Sequence, residues 1–412
     1  MRGYVDSVGL VFSAVILYTF YRDDFERIDY KRNFLLAFLC LVFIFTRRWY
    51  LFFVVSAFFA AGAAGLLRLL WERDYKIKNL FLNLVITGGT LLLTVAVFFF
   101  PYLARVVTNN FSDIYSAYQF GDFWWNIKYF IAYYGVTVFA PAAVGAVLGI
   151  INKKTRPFTV FMTIQGITMF LMFTRVQTIS YHHQYLFAPI IFLLIIIGIS
   201  SLRGKIRHLA GGVATAIICV SFIYSYTPLF GETLENFGFT AKRFEPKTAN
   251  AENISVLRDR LNTLTDENGG HVYILASSEI LNDDILKNSL LPDEGNAVKN
   301  LFGTAHVDKR DGFPNSLLVS KYIAVATPLQ VHLGEENQRV IEFFVRHMQS
   351  GELTKNLQKI DTVKITDTVS VDIYERRGGY SLEFLNTAKE YFSLVYPDYP
   401  ALSDIDFVYS QN

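Results

Sequence analysis

Residues 50–70 read YLFFVVSAFFAAGAAGLLRLL, 21 residues with one charge, Arg68. A helix of that length rises about 30 Å, the depth of the hydrocarbon layer of a bilayer. Working outward, seven further apolar runs fill the first half of the chain, at 5–21, 34–46, 80–100, 129–150, 157–174, 186–202 and 209–227. Most reach the length of a span; the run at 34–46 is short. The pattern predicts a polytopic α-helical membrane domain of about eight spans over residues 1–227. The chain of 412 residues is 52% apolar and 18% charged, with a mean hydropathy of +0.31. That excludes a disordered chain and argues against an ordinary cytosolic globule.

Charge divides the chain at the same place. Residues 1–226 carry 20 Lys and Arg against 9 Asp and Glu, and residues 227–412 carry 18 against 27. A basic apolar half followed by an acidic polar half reads as a membrane domain joined to a water-exposed one. One set of inter-run loops holds 13 cations: Arg22, Arg27, Lys31, Arg32, Arg73, Lys76, Lys78, Lys153, Lys154, Arg156, Arg203, Lys205 and Arg207. The other holds six: Arg2, Arg47, Arg48, Arg105, Lys128 and Arg175. The positive-inside rule places the richer set in the cytoplasm and residues 228–412 outside. Trp49, Trp71, Trp124 and Trp125 all stand at run edges, where interfacial aromatics belong. The first run then starts outside with no leader before it, which favours upstream helices that are missing or separately encoded over an N-out start. Cys40 and Cys219 both lie inside apolar runs and give no disulfide framework. No nucleic-acid partner is expected.

Three outer stretches carry candidate chemistry. Arg47 and Arg48, in TRRWY, are two guanidinium groups at an outer edge, suited either to a phosphate or to snorkelling toward headgroups. Residues 111–130, FSDIYSAYQFGDFWWNIKYF, suit a helix lying in the headgroup layer, as a groove wall or a plain aromatic belt. Residues 173–189, FTRVQTISYHHQYLFAP, gather Arg175, Gln177, Tyr181, His182, His183 and Tyr185 between two spans. Polar groups confined there are costly unless they face protein, water or substrate. Structural hydrogen bonding and substrate contact both fit. A divalent metal fits less well, because adjacent histidines have no ligand spacing of their own, so no cofactor is expected. Gly88 and Gly89 read as a site of close helix packing.

Residues 228–412 read as a small α/β domain. Ile254, Leu257, Leu261 and Leu264 share a helix face, as do Val340, Ile341, Phe344, Val345 and Met348. HVYILA at 271–276, KYIAVA at 321–326 and the pair at 359–366 and 368–375 have strand character. The tail from Tyr380 reads as a strap and a helix. Asp283, Asp284, Asp308 and Asp311 show no acid pair set by spacing and are read as a solvated acidic surface.

RGYVDSVGL at 2–10, TRRWY at 46–50, FTRVQTISYHHQY at 173–185, VDKRDGFP at 307–314 and ATPLQVHL at 326–333 together resemble bacterial membrane glycosyltransferases of the GT-C superfamily. The nearest group is the polyprenyl-phosphate-sugar-dependent enzymes related to protein O-mannosyltransferases. The resemblance implies a polyprenyl-phosphate sugar donor, an extracytoplasmic acceptor and bound membrane lipids. It also implies a catalytic Asp or Glu in the first outer loop, just after the first membrane helix. This chain has no such loop, and Asp6 does not match that position, so no general base is assigned. Inversion at the anomeric carbon would then use Arg47, Arg48 or Arg175 to stabilise the departing phosphate. The competing class is a non-catalytic membrane scaffold, or a subunit presenting an extracytoplasmic binding domain. A transporter is weaker, since charges inside the spans are few.

Overall fold

The computed structural model describes residues 6–21, 25–108, 111–227, 229, 232–241, 250–289, 298, 300–353 and 356–407. Arg2 and Arg22 of the cation count, and the side chain of Asp6, lie outside these residues. The chain forms two compact units, Met1–Glu245 and Pro246–Asn412.

The first unit is helical. Its elements are α1 (Asp6–Tyr21), α2 (Tyr30–Thr46), α3 (Leu51–Arg68), α4 (Ile77–Phe98), α5 (Phe100–Thr108), α6 (Phe111–Ser116), α7 (Phe123–Tyr134), α8 (Val136–Ile151), α9 (Arg156–Val176), α10 (Ala188–Ser201) and α11 (Gly204–Tyr226). Every apolar run is helical, but fewer than eight of the helices have spanning length. Among the described residues four are long and apolar enough to cross a bilayer: Arg48–Arg68, Ile77–Phe98, Arg156–Val176 and Gly204–Tyr226. α1 and α10 are apolar but shorter. The run at 129–150 is not one helix: α7 and α8 meet at a bend of 102°. Gly135 sits at that bend with φ +77°, and a Cβ there would lie 2.6 Å from the backbone of Phe239 and of Thr240. Only glycine fits both the left-handed backbone and the close approach.

α2 packs on α4, α3 on α9 and α8 on α10. Asp29 caps α2, its carboxylate accepting from the Arg32 amide at 3.1 Å. Asn83 of α4 donates to the Phe25 and Arg27 carbonyls at 3.1 and 3.0 Å and accepts from Asn33 at 2.7 Å. These bonds satisfy polar groups that the apolar surroundings would otherwise penalise. The same end of the helices gathers cations from separate loops. Arg68 pairs with Glu26 and Glu72 at 3.0 and 2.6 Å and stacks on Tyr75, while Arg156 lies over Trp71. Residues 232–241 belong to this unit too. Thr137 donates to the Gly238 carbonyl at 3.0 Å, and the Thr240 hydroxyl donates to the Tyr133 carbonyl at 2.5 Å.

The second unit contains α12 (Ala251–Asn268), β1 (Val272–Leu275), α13 (Asp283–Lys287), α14 (Asp308–Asp311), α15 (Asn315–Val319), β2 (Tyr322–Thr327), α16 (Arg339–Gln349), β3 (Leu357–Lys364), β4 (Ser370–Arg376) and α17 (Leu382–Val395). The sheet order is β1-β2-β4-β3, with β1 and β2 parallel and the other pairs antiparallel. Alternate strand residues feed two cores. Tyr273, Leu275, Ile323 and Val325 pack with α16 and α17, while Val272, Ile274, Tyr322 and Ala324 pack with α12. Both faces of β1 are therefore covered and all four of its residues are buried, as parallel pairing demands. The strands and helix faces read from the sequence are those observed.

Candidate functional sites

In the first unit, Trp49 organises the residues singled out in the sequence. It lies in a 3-10 turn, Arg48–Tyr50, between α2 and α3. Its ring centroid is 5.3 Å from that of His182 and 4.7 Å from that of His183, and the Arg47 guanidinium lies 5.6 Å above it. The histidines come from a second 3-10 turn, Tyr181–Leu186, between α9 and α10. The fold thus joins Arg47 and the paired histidines across more than 130 residues of sequence.

His183 has a structural task. It is buried, and its Nδ1 accepts from the Ser180 amide at 3.0 Å. The ring proton is then on Nε2, which donates to the Gln177 side-chain amide 3.2 Å away with that amide's oxygen turned toward the ring. Both ring nitrogens are engaged, which counts against a metal at the histidine pair. Burial, then His182 and Arg47, hold its imidazole well below the usual range. Burial, then Arg47, hold His182 down at about 4. Both rings are neutral at physiological pH, so the positive charge here comes from arginine.

The loop 177–186 is pinned from the aromatic stretch. The Thr178 hydroxyl accepts from the Phe120 amide at 2.9 Å, the Asn126 side chain accepts from the Ile179 amide at 3.2 Å, and the Tyr134 hydroxyl donates to the Gln184 carbonyl at 2.6 Å. Tyr181 packs at tilted angles against Tyr129 and Tyr133. Arg47 and Tyr185 are half-buried, whereas Arg48 and Arg175 are exposed. The Arg48 charge acts on the Tyr102 hydroxyl of α5. Arg175 stands in the last turn of α9, where a cation suits the helix C-terminus. Arg47, Gln177, His182 and His183 therefore converge around Trp49, while Tyr181 packs on the aromatic wall.

The second unit holds a denser cluster, at the carboxyl ends of its parallel strands. β1 leads directly to Ser277, and β2 leads to Gln330 and His332. The segment 300–306 runs beside β1. The Phe302 amide donates to the Val272 carbonyl at 2.9 Å and the Thr304 hydroxyl to that of Ile274 at 2.8 Å, which delivers His306 next to Ser277. Ligand crevices of open α/β sheets lie at such strand ends.

The reading of the aspartates as a solvated surface is wrong for two of the four. Asp283 is 2% exposed and Asp308 is fully buried. Asp283 takes His306 Nε2 at 2.6 Å on one oxygen and Lys287 Nζ at 2.5 Å on the other. Burial pushes its carboxyl up, but these two hydrogen bonds outweigh it and hold the group at about 2. Among the described residues, Asp308 has no cation as a hydrogen-bond partner. Burial drives it up to about 7 against bonds from Tyr396 and from the Val340 and Arg339 amides. The Tyr396 hydroxyl is 2.8 Å from Asp308 Oδ2 and 2.6 Å from the Glu336 carbonyl. One hydroxyl proton serves one of these contacts, and a protonated Asp308 supplies the other. Asp311, on the surface, caps the turn by accepting from the His306 and Val307 amides at 2.9 and 3.0 Å.

Gln338 ties the site together, accepting from the His332 and Leu333 amides at 3.0 and 2.9 Å and donating to the His306 carbonyl at 2.9 Å. Asp284 brings a carboxylate oxygen within 4.8 Å of ligand atoms on Asp283 and His306, a spacing a divalent cation can bridge. Lys287 already supplies positive charge at that point, which disfavours a cation. Ser277, His306, His332 and Gln338 escaped the sequence reading. For three of them the signal is positional: Ser277 and His332 follow apolar strands and His306 ends a segment beside one, whereas Gln338 is the N-cap of α16. Comparison with family models, curated proteins and solved structures gives no match for this chain, so function rests on these residues and their geometry.

Proposed function

We propose that the chain is a membrane glycosyltransferase, or the C-terminal part of one, which moves a sugar from a polyprenyl-phosphate donor to an acceptor outside the cytoplasm. The observation that carries this reading is the convergence of Arg47 with Trp49 and His182 at one end of the apolar helices. A lipid phosphate needs an apolar path for its chain and a cation at the head. The spanning helices supply the first and Arg47, with Arg48 nearby in sequence, the second. A guanidinium meets phosphate through two parallel N–H bonds and stabilises the charge that grows as phosphate leaves. In this orientation Arg27, Arg68 and Arg156 face the cytoplasm. The second unit lies outside with the acceptor. The general base is not assigned to any residue of this chain.

The test is native mass spectrometry of the purified protein with a short-chain polyprenyl phosphate and with the unphosphorylated polyprenol of equal length. The glycosyltransferase reading expects selective retention of the phosphate form. A non-catalytic scaffold expects equal retention of both, set by the chain alone.

A further inference from the structure

Ser277 lies beneath two imidazoles. Its Oγ is 2.6 Å from His306 Nδ1 and 2.9 Å from His332 Nδ1. The His332 Nδ1 also contacts the Ser277 carbonyl, which can only accept, so that nitrogen carries a proton. The hydroxyl proton of Ser277 is therefore directed at His306 Nδ1. His306 keeps its own proton on Nε2, where it donates to ionised Asp283 at 2.6 Å. The connectivity is hydroxyl to imidazole to buried carboxylate, with the two ring nitrogens exchanged relative to the usual serine triad. Three chain segments build it: the end of β1, the strand-like segment 300–306 and the loop after β2.

We propose that Ser277 is a nucleophile and that the second unit carries an acyl-transfer activity on ester carbonyls, separate from any sugar transfer. In the first step Oγ bonds to the carbonyl carbon while its proton passes to His306 Nδ1. Asp283 positions the ring and stabilises the imidazolium. His332 Nδ1–H, 2.9 Å from Oγ, meets the oxyanion. The intermediate then expels the ester's alcohol oxygen, which takes the proton from His306, leaving an acyl ester on Ser277. Water attacks that ester with His306 again accepting a proton, and a carboxylic acid leaves as the Ser277 hydroxyl is restored. Ser277 is 1% exposed, so the exposed His332 side chain must move to admit the ester and then return its Nδ1–H to the oxyanion.

The experiment treats the full chain in detergent micelles with a fluorophosphonate probe and maps the adduct by peptide mass spectrometry. The expected result is time-dependent phosphonylation at Ser277, lost in Ser277→Ala and slowed on the order of 100-fold in His306→Gln. Asp283→Asn should lower the midpoint of the labelling-rate pH profile, because the imidazole loses its stabilising anion. A purely structural carboxylate would change the amplitude alone. Asp284, Lys287, Asp311, Arg310 and His332 also surround His306, and their charges are unchanged in that variant. Wild-type protein that is folded by thermal melt yet unlabelled at Ser277 at millimolar probe overturns the proposal. Labelling at an undiminished rate in His306→Gln overturns it too.

Discussion

Substituting Asp308 by Asn should change how stability depends on pH. The folded carboxyl titrates near 7 and the unfolded one near the ordinary value of 3.8. Between those values the folded state binds more protons than the unfolded state, so stability falls as pH rises through the window. The slope approaches about 1.4 kcal/mol per pH unit. Asn keeps the acceptor for the Val340 amide and can donate to Tyr396, so the variant should lose this slope. Thermal melts of both proteins from pH 4 to 8 check it, and parallel curves would remove the neutral-acid description of Asp308. Asp283 has the opposite sign: its folded value is depressed to about 2, so its contribution is present above about 4 and lost as pH falls toward 2. Nothing in the residue types separates these two aspartates from solvated Asp284. What separates them is a lysine one turn away for Asp283 and a tyrosine 88 residues later for Asp308. The first partner was within reach of helical spacing; the second was not.

At the scale of elements, α8 and α10 meet through glycine. A Cβ on Gly145 would lie 2.0 Å from the Leu194 carbonyl oxygen, and one on Gly198 would lie 2.8 Å from the Gly145 Cα. Gly149, one turn beyond Gly145, would strike Thr159 and Ile197. The spacing Gly145–Gly149 is the small-residue pattern that lets two membrane helices touch along their backbones. Gly145→Leu should force the helices apart and lower the melting temperature of the detergent-solubilised protein by several degrees. Gly89→Leu should have little effect, since a Cβ there meets nothing within 4 Å. Equal losses from the two variants would contradict this packing. The expectation that Gly88 and Gly89 hold helices close is therefore corrected: a Cβ on Gly88 would make an ordinary contact, 3.5 Å from Phe58. The helices themselves were legible from hydropathy. The bend at Gly135 was not, because an apolar run gives no sign of a break until residues 238–240 fold back against it.

Over the whole molecule, hydropathy and charge separated a helical apolar half from an acidic α/β half; short apolar runs located β1 and β2 of the second, and a stretch with alternating Val369, Val371 and Ile373 located the pair β3 and β4. The boundary moved from 227 to 245 because residues 232–241 bond to α7 and α8 rather than to the sheet. Residues 246–412 have two apolar cores of their own, one on each side of the sheet. That fragment should express without detergent and unfold in one cooperative transition, seen as coincident loss of near- and far-UV circular dichroism. Persistent aggregation, or non-coincident transitions, would show that its cores are incomplete. Long-range convergence at either site was beyond pattern reading. Arg47 and His182 are joined only by the path of α3 through α9, and Ser277 and His306 only by parallel alignment of their segments.

Recognition of a lipid-linked phosphate by Arg47, as proposed, is decided by one titration. A short-chain polyprenyl phosphate is titrated into the purified wild-type chain and into Arg47→Lys, with Arg175→Lys as the control. A bidentate guanidinium contact is worth about 1–3 kcal/mol, and lysine offers only a point charge. Affinity should weaken about tenfold or more in Arg47→Lys and stay unchanged in Arg175→Lys. Wild-type affinity in Arg47→Lys would contradict it and leave Arg47 as a headgroup anchor.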